Sequence, residues 1–190
     1  MQLFVGHLPS PVGLLTLAWD ESGLRALDFH GPDFDRVDAR FDELLVRQYG
    51  EYRLTKEEIP KQFSVALDAY FAGELTAIDS LPVRPTGTLF QQKVWGALRD
   101  IPPGTTLSYG ELARRLGNPA ATRAVGRANG ANPIGIVVPC HRVIGANGSL
   151  TGYGGGMHRK HWLLEHERAH ISHLAAGAQP LQRSLSSIFI

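Results

Sequence analysis

The sequence predicts two domains: an N-terminal α/β domain with a small antiparallel sheet, then a mainly α-helical domain containing a helix-turn-helix. Three features carry this expectation. Apolar, partly alternating runs at 13–19 and 24–30 flank a turn, two helix-start signals of one design stand at Thr88 and Ser108, and Gly117-Asn118 separates two helical patterns by almost nothing. A chain of 190 residues has room for one or two domains, and 43% hydrophobic against 19% charged residues is the composition of a folded, soluble protein.

The first two runs are joined by Asp20-Glu21-Ser22-Gly23, which is turn chemistry, and are expected to form a hairpin. Asp33 is placed to cap a helix carrying Val37, Phe41, Leu44 and Leu45, and a second helix with Phe63, Leu67, Tyr70 and Phe71 stops at Gly73. Residues 76–86 have two prolines and no period. The first domain is therefore assigned to residues 1–80, a linker to 81–87, the second domain to 88–173, and a tail of unassigned role to 174–190. Thr88 with Gln91 is a capping box ahead of Phe90, Val94, Trp95 and Leu98, and that helix is stopped by Pro102-Pro103-Gly104. Ser108 with Glu111 repeats the device for a helix with Leu112, Ala113 and Leu116 inward. After Gly117, Asn118 can cap a further helix over 119–129 with Pro119 at its first position. Arg123 and Arg127 lie four apart on it, among Ala120, Ala121, Ala124, Gly126 and Ala128, small residues that allow close backbone approach. Taken alone, ordinary packing of two short helices explains this pair as well.

Residues 1–85 hold 8 Lys+Arg against 14 Asp+Glu, and residues 86–190 hold 11 against 4. The basic half would suit a polyanion, although two halves facing each other or solvent account for the charge equally. No window is long and apolar enough for a membrane span, and residues 1–19 lack a basic leader start, so a cytoplasmic protein without a membrane partner is expected.

The single cysteine, Cys140, excludes an intramolecular disulfide and any site of several thiolates. Residues 134–138 (IGIVV) read as a short buried strand running into Pro139-Cys140-His141-Arg142-Val143. A lone cysteine is most often a small buried hydrophobe, but neighbouring His141 and Arg142 can lower a thiol pKa and favour a nucleophile. His141 serves Cys140 directly only if the chain turns there, or else through a bridging water. Asp100, Glu111, Glu165 and Glu167 are the only acids in the basic half; Glu111 is taken by its capping box, which leaves Glu165 or Glu167 to orient His141.

His166-Glu167-Arg168-Ala169-His170 also matches the zinc-peptidase pattern H-E-x-x-H, a weak signal because residues 174–190 supply no His, Asp or Glu as a third ligand. Upstream His158 or His161 would have to complete such a site. Otherwise the five histidines between 158 and 173 read as a polar helix face.

Together these residues resemble the O6-alkylguanine-DNA alkyltransferases, also called methylated-DNA:protein-cysteine methyltransferases. The core of the resemblance is Pro139-Cys140-His141-Arg142-Val143. Ser108-Tyr109, Gly117-Asn118-Pro119, Arg123-Ala124-Val125-Gly126, Asn132-Pro133, Tyr153 in a Gly-rich loop and Trp162-Leu163-Leu164 before His166-Glu167 support it in the same order. The resemblance is dense over 90–167 and looser over the first 80 residues, where Ser10-Pro11-Val12-Gly13 and 70–75 (YFAGEL) are similar.

The resemblance implies a ribonuclease-H-like N-terminal domain and a winged helix-turn-helix-like second domain. It implies a repair protein that moves an alkyl group from O6 of guanine in double-stranded DNA, and from O4-alkylthymine as an open extension, irreversibly onto Cys140. In that reading Glu167 orients His141, which acts through a water as base toward Cys140, and Asn132 stabilises the turn before the cysteine. Tyr109 gives a proton to the leaving guanine and helps turn the phosphate. Arg123 enters the stack after base flipping, with Arg127, Ala124 and Gly126 on the same DNA-facing helix. Val143, Tyr153 and Gly154 belong with Cys140 to the guanine pocket; some relatives have serine at the position of Gly154. No metal and no cofactor are expected, and the protein is expected to be a monomer, with cooperativity on DNA left open. Two other classes compete: a module that binds alkylated bases without reacting, against which the presence of Cys140 argues, and a zinc hydrolase built on His166, Glu167 and His170.

Overall fold

The computed structural model describes residues 1–29 and 39–171. Asp33, Val37, His173 and the tail fall outside the described residues.

The predicted hairpin is β2 (Leu15–Asp20) and β3 (Gly23–Phe29), paired antiparallel through the turn at Asp20. Asp20 accepts from the Ser22 backbone and from Arg25, which fixes the turn. Two strands escaped the sequence reading. β1 (Gln2–Leu8) pairs antiparallel with β2, and β4 (Arg53–Lys56) adds to β1 in parallel, so the sheet has the order β3-β2-β1-β4 and is mixed rather than wholly antiparallel.

Both faces of this sheet are buried, which is why β2 is apolar almost throughout. On one face α1 (Ala39–Tyr49) sets Phe41, Leu44 and Leu45 against Leu3, Val5, Ala18 and Ala26. On the other, α2 (Lys61–Phe71) places Phe63, Leu67 and Tyr70 in a core that continues without a break through Trp95, Leu112 and Ile134 to Cys140 and Val143. The exposed edge of β3 is covered rather than left open. Leu24 pairs with the Pro82–Arg84 stretch, and Leu27 donates to the Pro133 carbonyl and accepts from Gly135. The edge of the sheet therefore touches the segment that leads to the cysteine.

In the second half, α3 (Leu89–Arg99) and α4 (Tyr109–Arg115) start at complete capping boxes on Thr88/Gln91 and Ser108/Glu111, each worth about 1 kcal/mol. The α4 end is a Schellman arrangement. Gly117, at φ +76°, donates to Arg114, and Asn118 donates to Ala113. Asn118 makes no side-chain cap to the next helix, contrary to expectation; its backbone N–H closes α4 and its carbonyl accepts from Ala121. The chain instead makes a 3-10 turn at Pro119–Ala121 before α5 (Thr122–Gly130). α5 buries Val125, Ala128 and Asn129, and the Ala128 carbonyl accepts from the Trp95 indole of α3 at 2.8 Å. A two-residue parallel pair, β5 (Leu107–Ser108) with β6 (Val143–Ile144), ties the start of α4 to the segment after the cysteine, and α6 (Met157–His170) closes the described chain. Among the described residues no helix is long and apolar enough to cross a membrane.

Residues 134–138 are not a strand. After the single bridge at Ile134 the chain makes a tight turn centred on Ile136, with Val137 donating to Gly135 at 2.7 Å. A second centres on Pro139, with Cys140 donating to Val138 at 2.8 Å. Ile136 sits at φ +66° with its side chain fully buried, an unfavourable backbone for a β-branched residue that its packing holds in place. An apolar run has the same composition in a buried strand and in a buried turn, which is why the pattern misleads.

Candidate active site

The two turns deliver Cys140 to the first residue of a one-turn 3-10 helix, Cys140–Arg142. The chain does turn between Cys140 and His141, so the two side chains are not forced to opposite faces. Asn132 staples the approach: its amide nitrogen donates to the Val138 carbonyl at 2.8 Å and its oxygen accepts from the Ile134 backbone at 3.0 Å.

Cys140 is 8% exposed and lines a cleft of about 280 Å³ together with Asn132, Gly135, Tyr153, Gly154 and Gly155. The wall opposite comes from the first half, through Asp28, Phe29 and Arg40. Arg40 binds Asp28 at 2.9 Å and donates to the Gly154 carbonyl, so α1 is tied to the Gly-rich loop. Tyr153 packs edge-on against Phe29 and His141, at ring distances of 6.0 and 6.5 Å.

Behind the cysteine lies a buried polar cluster. His141 and Glu167 are fully buried, and His141 Nε2 donates to Glu167 Oε1 at 2.9 Å. The other ring nitrogen, Nδ1, has no hydrogen-bond partner among the described residues. Of the two candidate acids, Glu167 is the partner, while Glu165 on the next face of α6 is exposed.

Arg142 departs from expectation. Rather than facing the thiol, its guanidinium grips Glu167 from Nε and Nη2, at 3.0 and 2.8 Å, and donates to the Ile101 carbonyl from Nη1. Glu167 also accepts from Tyr70 at 2.9 Å and from the Gly104 backbone at 3.0 Å. Burial pushes its carboxyl upward, but the hydrogen bonds from His141 and Arg142 and the charge of the Arg142 guanidinium hold it well below the ordinary range. The His141 imidazole is driven down by burial, against the pull of Glu167, and stays neutral.

The expected lowering of the thiol pKa is also reversed. Burial pushes Cys140 up to about 11, partly opposed by Asn132 and Lys160, because the nearest cation in sequence is turned toward Glu167. At pH 7 the unaided thiolate fraction is on the order of one in ten thousand.

One of the residues expected in the guanine pocket lies differently. Tyr153 and Gly154 line the cleft, whereas Val143 is fully buried and not part of its wall. The Val143 carbonyl accepts from Lys160 Nζ at 2.6 Å, and Lys160 also donates to Thr151 at 2.8 Å. A fully buried lysine on α6 had no signal in the sequence. The H-E-x-x-H residues are committed elsewhere: Glu167 to the cluster just described, His166 Nε2 to the Tyr70 carbonyl at 2.8 Å, and His170 to the His166 carbonyl. His166 is buried and stacked on Trp162, so the histidines do not form one polar face.

On α5, Arg123 and Arg127 are exposed, as are Arg114 and Arg115 at the end of α4. Ala124 and Gly126 lie between them and the core. A Cβ on Gly126 would sit 3.7 Å from the Tyr109 ring, an ordinary contact, so this face of α5 lies directly against that tyrosine. Tyr109 hydroxyl lies 3.5 Å from the Thr151 carbonyl, on the loop that leads to Tyr153.

Two family models match the chain: 6-O-methylguanine DNA methyltransferase, ribonuclease-like domain, over residues 3–85, and 6-O-methylguanine DNA methyltransferase, DNA binding domain, over residues 89–169. The chain belongs to the 6-O-methylguanine DNA methyltransferase family. A methylated-DNA–protein-cysteine methyltransferase of Salmonella typhimurium is 48% identical over 170 residues, covering 88% of this chain and 96% of the relative. The crystal structure of the Mycobacterium tuberculosis O6-methylguanine methyltransferase aligns at a TM-score of 0.72 with 42% identity, covering 93% of this chain and 96% of that one. A Mycobacterium tuberculosis structure in complex with DNA aligns at 0.73 with 44% identity, covering 90% and 94%. The two-domain architecture of this methyltransferase family is thus the architecture of the chain.

Acid should unfold this methyltransferase through the buried cluster. His141 and Glu167 both have folded pKa values below their unfolded ones, so the folded state binds fewer protons. Their stabilisation is complete above the unfolded histidine value of about 6.5 and is lost progressively below it, then more steeply below about 4.3. Melting temperatures measured from pH 8 to 4 are expected to fall across that window, and a flat profile would contradict the assignment.

Proposed function

We propose that the chain repairs alkylated double-stranded DNA by moving an alkyl group from O6 of guanine onto Cys140, once per molecule. The observation that carries this is the placement of the only thiol on a cleft wall, with a buried imidazole and its carboxylate behind it. Family membership supplies the substrate class.

Held at Nε2 by Glu167, His141 takes the thiol proton at Nδ1 through a water. The Cys140 sulfur attacks the alkyl carbon; the S–C bond forms as the C–O6 bond breaks, and the electron pair goes to guanine O6. Tyr109 supplies the proton to the departing base. A thioether is not hydrolysed under these conditions, so the protein is consumed, and no cofactor is involved. A reaction that spends a free thiol fits a reducing compartment such as the cytoplasm, and the protein acts there as a monomer.

In this reading α4, the 3-10 turn and α5 act as a helix-turn-helix whose exposed Arg123 and Arg127 meet DNA, and β5 with β6 forms the small wing. The division into residues 1–80 and 88–173 separates the scaffold from the reacting domain. Extruding a nucleotide costs a few kcal/mol, and Arg123 fills the gap it leaves. Arg123→Ala is expected to slow transfer roughly tenfold, about 1.4 kcal/mol, with a smaller loss of affinity for undamaged duplex. An unchanged transfer rate would remove Arg123 from this role.

The test of the reaction uses duplex DNA whose O6-methylguanine carries an isotope label on the methyl group. Label recovered on the Cys140 peptide is expected; label released as methanol would instead indicate hydrolysis.

A further inference from the structure

We propose that Tyr70, on α2 of the N-terminal domain, is a positioning residue of the transfer reaction that acts on His141 through Glu167. This rests on the reading of His141 as the base toward Cys140.

Tyr70 is fully buried, and its hydroxyl donates to Glu167 Oε1 at 2.9 Å, across 97 residues of sequence. The same oxygen accepts His141 Nε2 at 2.9 Å and Arg142 Nη2 at 2.8 Å. The hydroxyl is not needed to neutralise the carboxylate, which Arg142 already does from two nitrogens while Gly104 serves Oε2. Nor does it hold the ring, which packs edge-on against Phe71 and His166 at 5.3 and 5.4 Å. A phenylalanine would fill that space. What the hydroxyl adds is a donor from a third residue on the oxygen that orients His141, and each donor draws negative charge away from that oxygen. Burial and the facing carboxylate keep the phenol protonated far above neutral pH, so it remains a donor throughout the working range.

Without that donor, Oε1 becomes a stronger acceptor and favours the protonated imidazole. The charged groups that face His141 are otherwise unchanged: Glu167 and Lys160 on α6 and Arg142 on its own turn. Tyr153 faces its ring from the cleft, and Asp28 on β3 acts on the thiol rather than the imidazole. The N-terminal domain thereby sets how readily the base in the other domain accepts a proton.

The experiment is single-turnover transfer from O6-methylguanine duplex, as a function of pH, for the full chain, Tyr70→Phe and His141→Gln. The wild-type rate is expected to fall in acid as His141 becomes protonated. Tyr70→Phe should move that limb up by about one pH unit, lowering the rate on the limb about tenfold. Nitrogen-detected titration of His141 in DNA-free Tyr70→Phe should show the same upward shift, a readout independent of turnover. An acid limb and a titration that superimpose on the wild type overturn the proposal, as does a rate lowered equally at every pH, which is the signature of packing alone. His141→Gln should have no such limb; if it keeps one, the reading of His141 as base fails instead.

Discussion

Replacing Glu167 by Gln is expected to cost about 3–5 kcal/mol of folding stability and to stop alkyl transfer at neutral pH. The change is nearly isosteric, so the loss does not come from a cavity. It comes from Arg142, whose guanidinium is 3% exposed and keeps its charge after its only carboxylate among the described residues is neutralised. A domain of this size is stable by about 5–15 kcal/mol, so the variant should unfold at markedly lower urea. The pair is not itself indispensable to folding. Arg142→Met with Glu167→Leu removes both charges and should recover much of the stability while leaving transfer absent, because His141 then has no acceptor at Nε2. A Glu167→Gln variant within about 1 kcal/mol of the wild type would contradict the ion-pair account.

Cys140→Ala is expected to lose transfer entirely while binding duplex DNA as tightly as the wild type. Cys140 lies at the margin of the core, on the cleft wall, and the change deletes a single sulfur, so the fold is expected to survive. The surfaces proposed to meet DNA, Arg123 and Arg127 on α5, lie on a separate element. Transfer retained by the variant would end the assignment of Cys140 as acceptor, and lost DNA binding would mean that the cysteine segment forms part of the docking surface. Transfer by the wild type and not by this variant separates the methyltransferase from a damage-binding module, which would bind in the same way with or without the thiol and transfer nothing.

Local chemistry was legible in the sequence; long-range chemistry was not. The hairpin at Asp20 and the capping boxes at Thr88 and Ser108 depend on residues two or three apart, and the structure reproduces them. Glu167 was reached by elimination from a short list of acids, with Glu165 left beside it, and only the rotation of α6 separates the two. β4 is short and mostly polar, RLTK, and owes its existence to pairing with β1 rather than to its own pattern. Residues 134–138 read as a strand because burial dictates their composition, while Asn132 and the tertiary contacts around Ile136 dictate their backbone.

The reading of Arg142 failed for a related reason. Adjacency in sequence suggested that it served the thiol, but one turn of 3-10 helix points it at a carboxylate 25 residues away. Tyr70, Asp28 and Arg40 gave no signal because each reaches the site only through the packing of the two halves, and Lys160 because only the folding of the second half brings the Val143 and Thr151 carbonyls to α6. What the resemblance added was the order of the motifs; what the structure adds is an imidazole that burial drives down and a thiol that burial drives up.

The central claim is that Cys140 is the terminal acceptor of one alkyl group. Intact-protein mass spectrometry after incubation with excess duplex containing one O6-methylguanine tests it most directly. A gain equal to one methyl in place of one hydrogen, complete and never exceeded, absent from Cys140→Ala and located on the Cys140 peptide, is the predicted result. An unchanged mass while the DNA loses its methyl groups, or a gain located on another residue, would contradict it.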